Sequence, residues 1–375
     1  MPGPLSSLKI IEMVGIGPVP LAGQLLADMG AEVIVIDRKS GQDISQDVNR
    51  RGKKSIALNL KDPQGLDAAL QLIANADILI EGFRPGVMER LCLGPNECLA
   101  ANPLLVYGRM TGWGQTGPLS QTAGHDINYL AITGALRAIG KQGEPPIPPL
   151  NLAADYGGGS MFLIFGILSA IIERGISGKG QVIDAAMVDG VPAMMGLIQT
   201  MYGQGQWTGK REDNFIDTGA PWYRCYKTKD EKFISVGAIE PQFFAELVRL
   251  LGLDDNLLAI QNVKTEWPAM HTLFEEVFAS KTRDEWSAFF EGSDACVAPV
   301  LDFDEAANYS HNKERETFFK ANNITQTSIV PRLSRSNPPI PKLGSVTGAE
   351  GVELLKEAGY DDNHINALIS AGVLL

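Results

Sequence analysis

A chain of 375 residues has room for two domains, or for one large domain with an elaboration. Hydrophobic residues at 45% and charged residues at 20% describe a soluble globular protein. A formal charge of −12 argues against nucleic acid as a partner. The four cysteines, Cys92, Cys98, Cys225 and Cys296, form no CxxC pair and stand at no ligand spacing from a histidine. Reduced thiols in an intracellular protein, without metal or disulfide, are the expectation. The N-terminal segment lacks a charged n-region followed by a long apolar run, so it does not read as a secretory signal. The longest apolar run, residues 161–172, is shorter than the roughly 20 residues of a membrane span.

In chain order, residues 8–14 read as a strand, the glycine-proline segment 15–20 as a turn, and 21–29 as a helix ending at Gly30. Val33-Ile34-Val35-Ile36 is a continuous β-branched run, as in a strand buried on both faces. Residues 64–74 suit a helix, and 77–80 and 104–108 suit strands. This alternation predicts an α/β domain with a parallel sheet. A buried helix over 161–172, a strand over 182–184 and an apolar helix over 185–202 follow. The domain layout expected is a large domain over 1–190, a linker over 191–228, a small domain over 229–307, a second linker over 308–327, and a segment over 328–375 returning to the large domain. Within the small domain, a strand at 233–237, helices near 243–251, 267–279 and 282–290, and a strand at 297–301 are predicted. Short helices are predicted at 354–359 and 365–371.

Three features bear on chemistry. Gly15-x-Gly17 after a strand, with Asp37 about 20 residues beyond, imitates a dinucleotide fingerprint. Pro20 replaces the third glycine, however, and Arg38 directly follows the acid, so no nicotinamide cofactor is expected. Second, Arg50, Arg51, Lys53, Lys54 and Lys61 give five cations with no acid between residues 49 and 61. Phosphate recognition would explain such an island, and a solvated loop is the bland alternative. Arg38, Arg84 and Arg90 follow predicted strands and extend the candidate phosphate site.

Third, Gly124-His125-Asp126-Ile127-Asn128-Tyr129 precedes Ala153-Ala154-Asp155-Tyr156-Gly157-Gly158-Gly159 by about thirty residues, in a chain with only four histidines. An imidazole titrates near neutrality, and a carboxyl with a raised pKa complements it. Facing each other across one carbon, the two would take a proton from one side and return it on the other. The glycines in both frames would permit close backbone approach by a bulky ligand, and N–H groups near Ser160 would cradle an enolate oxygen. Singly, His125 reads as a structural histidine and Asp155 as a helix N-cap. Glu240, after the strand at 233–237, is a carboxylate available to orient His125, or a loop acid before the next helix. Met187, Met194, Met195 and Met201 read as packing, with a soft surface for an acyl chain as the sharper alternative.

These residues resemble the family III CoA-transferase superfamily, and within it a racemase branch acting on 2-methylacyl-CoA thioesters. The resemblance covers nearly the whole chain, through Leu26-Ala27-Asp28-Met29-Gly30-Ala31, Gly112-Trp113-Gly114-Gln115-Thr116-Gly117, Pro149-Leu150-Asn151-Leu152, residues 178–184 and residues 294–300. The histidine of the 124–129 frame favours racemase over transferase. The resemblance implies His125 and Asp155 as the acid/base pair, with Glu240 supporting His125. It implies acyl-CoA contacts from Arg38, Leu58-Asn59-Leu60-Lys61 and Gly124, Asp126, Ile127, Asn128 and Tyr129. It further implies an interlocked homodimer of a large Rossmann-like domain and a small α/β domain, with active sites between domains of different subunits. No metal or nicotinamide is needed, and coenzyme A enters as part of the substrate. The alternative within the family is a CoA-transferase with Asp155 as nucleophile. Residues 345–351 depart from a segment common among relatives, which leaves C-terminal packing open. The tail Ala-Gly-Val-Leu-Leu is no Ser-Lys-Leu address, so cytoplasm, mitochondrion and peroxisome stay equally open.

Overall fold

A computed structural model describes residues 3–344 and 346–375 and resolves two units. The first comprises 1–133, 149–194 and 314–375; the second comprises 134–148 and 195–313.

The first unit is built on a six-stranded sheet in the order β3-β2-β1-β4-β5-β6. The strands are β1 (Lys9–Met13), β2 (Glu32–Asp37), β3 (Lys53–Ala57), β4 (Ile78–Glu81), β5 (Val106–Thr111) and β6 (Gln181–Ala186). Every pairing is parallel, as the uninterrupted apolar runs of β2 and β4 require. The chain winds outward from β1 in both directions, the Rossmann order, so the connections after β1 and β4 leave opposite ways. Helix α1 (Pro18–Asp28) starts three residues before the predicted helix, because Pro18 fits the first turn without an N–H. Gly17 ahead of it has φ 72°, a conformation glycine adopts without a Cβ penalty. Helix α2 (Pro63–Ala74) packs with Ile11, Ile34 and Leu79 in one apolar core. Leu354, Leu355, Ile365 and Leu368, from helices Gly351–Glu357 and Asp362–Ser370, join it. Each such side chain contributes about 1.5–3 kcal/mol by leaving water. Ahead of those helices Thr347 accepts from the Gln42 amide, and Glu350 accepts from that of Ser55. Ser345 lies outside the described residues.

Most of the basic island is neither free for phosphate nor a solvated loop. β3 runs through it, and three of its cations turn inward. Lys53 lies with Nζ 2.9 and 2.6 Å from the two Glu12 oxygens. Arg51 forks onto Asp28 at 2.9 and 2.6 Å, both side chains 1% exposed. Arg50 reaches Asp37, which also accepts from the Ser55 hydroxyl. Burial pushes Glu12 up and Lys53 down, and their mutual attraction opposes both shifts. Lys54 meets Glu32 at the surface, and Lys61 is exposed.

After α3 (Val87–Arg90), α4 (Pro95–Ala101) and α5 (Asp126–Ile132), a nine-residue π-helix (Leu152–Ser160) runs straight into α6 (Met161–Ser177). The helical run is therefore 26 residues, longer than its apolar core 161–172, and by length and composition alone it would reach across a membrane. Leu163, Ile167 and Ala170 are buried, and Leu163 and Gly166 pack against Gly108 of β5 and Ile183 of β6. The opposite face is not buried as expected: Met161, Phe165, Ile172 and Ile176 are exposed. Helix α7 (Met187–Met194) ends where a continuous helix to 202 was predicted; Pro192 lies within it, and α8 (Gly196–Gly203) starts afresh in the second unit.

In the second unit an antiparallel sheet, β7 (Tyr223–Lys227), β8 (Phe233–Gly237) and β9 (Val297–Pro299), packs with helices α9 (Pro241–Leu251), α10 (Asn256–Ile260), α11 (Trp267–Phe278) and α12 (Arg283–Phe290). Its core is aromatic, with Trp222, Tyr226, Phe244, Phe274, Phe278 and Trp286 buried together. β7 and a hairpin at Phe318–Ala321 and Ile324–Thr327 form within stretches expected to be linkers.

Candidate active site

A cleft of 540 Å³ opens in the first unit at the carboxyl ends of β1, β4 and β5. Residues 16–19 follow β1, 82–85 follow β4, and 110–113 end β5. This is where diverging connections leave a crevice in an open parallel sheet. His125 and Asp155 both wall it, together with Tyr129, Asn151 and Tyr156.

His125 caps the amino end of α5, with its N–H donating to Asn128 Oδ1 at 3.1 Å. Its ring belongs to an exposed residue on the cleft. The frame around it is braced by Tyr129, whose hydroxyl donates to the Gly124 carbonyl at 2.5 Å and whose ring meets Trp113 edge-on at 4.7 Å. A Cβ on Gly112 would fall 2.0 Å from the Tyr129 ring, and one on Gly124 within 2.8 Å of both rings. Gly124 is thus required by the aromatic packing beneath it, and it also lines the cleft. Gly157, Gly158 and Gly159 likewise admit Met194, Val191 and Pro18 against the π-helix.

Asp155 sits inside the π-helix, not at an N-cap. Burial pushes its carboxyl upward, the Asp126 charge pushes it further, and the Asn151 amide and His125 work the other way. Oδ2 of Asp155 would lie 3.4 Å from a Cβ on Gly17, so glycine there also keeps the carboxylate clear. The Asp155 carboxyl thus lies beside the β1–α1 turn, where a Rossmann protein holds pyrophosphate. Asp37, the fingerprint acid, is committed to Arg50 and Ser55. Ser160 is fully buried within the helical run and donates to the Pro18 carbonyl, so it is no helix start for cradling an enolate.

The predicted ligand contacts divide. Arg84 lines the cleft, while Arg38 lies over the ring of Phe83, a cleft residue, at 5.4 Å. Arg90 ends α3 outside the cleft lining. Ile127 and Asn128 are exposed. Leu58 is 1% exposed in the core, and its N–H donates to the Asp37 carbonyl. The Asn59 N–H goes to Val373 and Leu60 packs on the same core, leaving Lys61 as the exposed charge of that segment. The Asp126 carboxylate turns away from solvent and accepts from the N–H groups of Ala154 and Asp155 at 3.0 and 2.8 Å. Glu240 stands at the amino end of α9 in the second unit, exposed, with no side-chain capping bond. Asn151, Trp113 and Gly17 were not foreseen; Gly17 was visible only as part of the false fingerprint.

The sequence profile of CoA-transferase family III matches residues 5–347. Alpha-methylacyl-CoA racemase of Mus musculus is 44% identical over 98% of this chain and 96% of its own. The Homo sapiens protein of the same name is 41% identical over 99% and 97%. A CAIB/BAIF family protein from Brucella suis shares the fold, with a TM-score of 0.81 at 24% identity over 96% of this chain and 100% of that one.

Proposed function

The chain belongs to CoA-transferase family III, and from that premise we propose that it is an isomerase, a racemase interconverting (R)- and (S)-2-methylacyl-CoA thioesters. The observation that carries this is one cleft walled by both His125 and a carboxyl at Asp155 held above its ordinary range. One of the two takes the α-proton, and the electron pair left on carbon moves onto the thioester oxygen as an enolate. The other group delivers a proton to the opposite face, and the carbonyl re-forms. Each pKa unit separating the carbon acid from its base adds about 1.4 kcal/mol to be met by enolate stabilisation. A carboxyl raised by burial suits proton transfer, a role the nucleophile of a transferase does not need.

In this reading Glu240 orients His125, and its carboxylate is not engaged in capping α9. Arg84 and Arg38, with Arg90 and Lys61, receive the phosphates of coenzyme A as part of the substrate. This reading needs no nicotinamide; the Asp155 carboxyl lies beside Gly17, and Asp37 is paired with Arg50. The protein works as a homodimer; the exposed row Met161, Phe165, Ile172 and Ile176 is an apolar face that a second copy would cover.

The test is proton exchange. The protein is incubated with (R)-2-methylacyl-CoA in deuterium oxide, and the α-proton signal and the chirality of the recovered acid are followed. Loss of the signal with appearance of the S epimer is expected, and both should vanish in His125→Ala and Asp155→Ala. Retained exchange in both variants overturns the reading. No exchange in the parent, with a covalent Asp155 adduct trapped by hydroxylamine, establishes CoA transfer instead.

A further inference from the structure

The π-helix that carries Asp155 begins without partners of its own. In i→i+5 bonding the first N–H groups have no carbonyl behind them, just as the first turn of an α-helix has orphan donors. Leu152 donates back to the Pro149 carbonyl at 3.4 Å, and the i→i+5 pattern starts at Tyr156, which donates to the Asn151 carbonyl at 3.3 Å. The N–H groups of Ala154 and Asp155 instead converge on a single atom, Oδ2 of Asp126, at 3.0 and 2.8 Å. Asp126 is the first residue of α5, next to His125 at its cap. One short helix start therefore presents the imidazole and tethers the main chain of the carboxyl. The other oxygen, Oδ1, is buried and has no partner among the described residues. No cation among them pairs with Asp126 either.

We propose that Asp126 is a positioning residue, which fixes the main chain of Asp155 against the His125 frame and sets its unneutralised charge beside the Asp155 carboxyl. This rests on the racemase reading above. Around Asp155, α5 supplies Asp126, His125 and the Tyr129 phenol, and the preceding turn supplies Asn151. α1 brings Gly17 and Pro18, and α7 brings Met187, Val191 and Met194, none of them charged. On β5, Arg109 is committed to Glu81 and Glu89; on β6, Asp184 accepts from the Gln115 amide. Asp189, the acid of α7, is exposed, and Asp126 is the acid whose carboxylate bonds the main chain of the Asp155 segment.

Two variants separate geometry from charge. Asp126→Asn keeps an oxygen for the two N–H groups and loses the charge. Its turnover at the pH plateau should stay within a few-fold, while the limb of the pH–rate profile set by Asp155 moves to lower pH, because a like charge that disfavoured ionisation is gone. Asp126→Ala loses both, and kcat should fall about 10–100-fold with KM little changed, as a displaced acid/base group would give. Asp155→Asn is the control. If it still interconverts the epimers, the racemase reading itself fails. If it is dead while Asp126→Asn overlays the parent profile, or Asp126→Ala keeps full kcat, the positioning role alone is overturned. Asp126→Asn preserves the tether, so the test stands even where Asp126→Ala folds poorly.

Discussion

Two groups of cations in the first unit look alike on paper and differ in three dimensions. Arg50, Arg51 and Lys53 sit in a run with no acid between residues 49 and 61; Arg38, Arg84 and Arg90 are scattered after strands. The dense group is internal: Asp37, Asp28 and Glu12 arrive from β2, α1 and β1 and neutralise it. The sparse group is exposed and forms no ion pair among the described residues. Charge density along a chain therefore does not locate an anion site. What matters is whether carboxylates from other elements reach the cations first, and a parallel sheet brings such partners from 13 to 41 residues away.

The sharpest way to break this contrast is Lys53→Met. It strands the Glu12 carboxylate at 2% exposure, and loss of one partner of a buried pair costs about 3–5 kcal/mol. Urea unfolding should show that loss, and Lys53→Met with Glu12→Leu should recover most of it, since a buried pair replaced by apolar groups is often neutral. The KM of the folded fraction should not change. A rise in KM without loss of stability would return Lys53 to the ligand site.

Arg84→Ala probes the other group and should do the reverse. An exposed cation on the cleft wall contributes little to folding, within about 0.5 kcal/mol. A charge-assisted bond to a phosphate is worth about 1.5–3 kcal/mol, so KM should rise roughly ten-fold or more. The parent KM should climb with salt, and that of Arg84→Ala should climb less.

The same distinction explains what was legible in the sequence. β2 was plain because four β-branched residues in a row admit one local structure, and the parallel architecture followed from the alternation. β3 was hidden because its lysines mask a strand whose partners lie elsewhere in the chain. His125 and Asp155 stood out by their frames, and the structure puts both on one cleft. The service role of Asp126 was not legible: beside a histidine in a glycine-rich frame it looks like a ligand contact. Only the unfilled donors of a π-helix, nine residues that no periodicity announces, show where its carboxylate goes. The exposed face of α6 was missed for a related reason, since an apolar run does not reveal which side a sheet covers.

The smallest effect is the most discriminating. Arg38 is not on the cleft wall, but its guanidinium lies over Phe83, which is. An exposed cation–π contact is worth about 0.5–1 kcal/mol, so Arg38→Ala should raise KM only a few-fold if stacking is its whole role. A double-mutant cycle with Phe83→Leu separates the two routes. Were Arg38 acting only through the ring, its removal would be silent once Phe83 is gone. A direct contact with the coenzyme A phosphates predicts that the Arg38→Ala penalty persists in the Phe83→Leu background and shrinks with added salt, as a solvent-exposed charge interaction must. The second outcome is expected, because β2 ends in a buried, paired Asp37 and is followed by an exposed Arg38, leaving the arginine as the charge at that strand end free to meet a ligand.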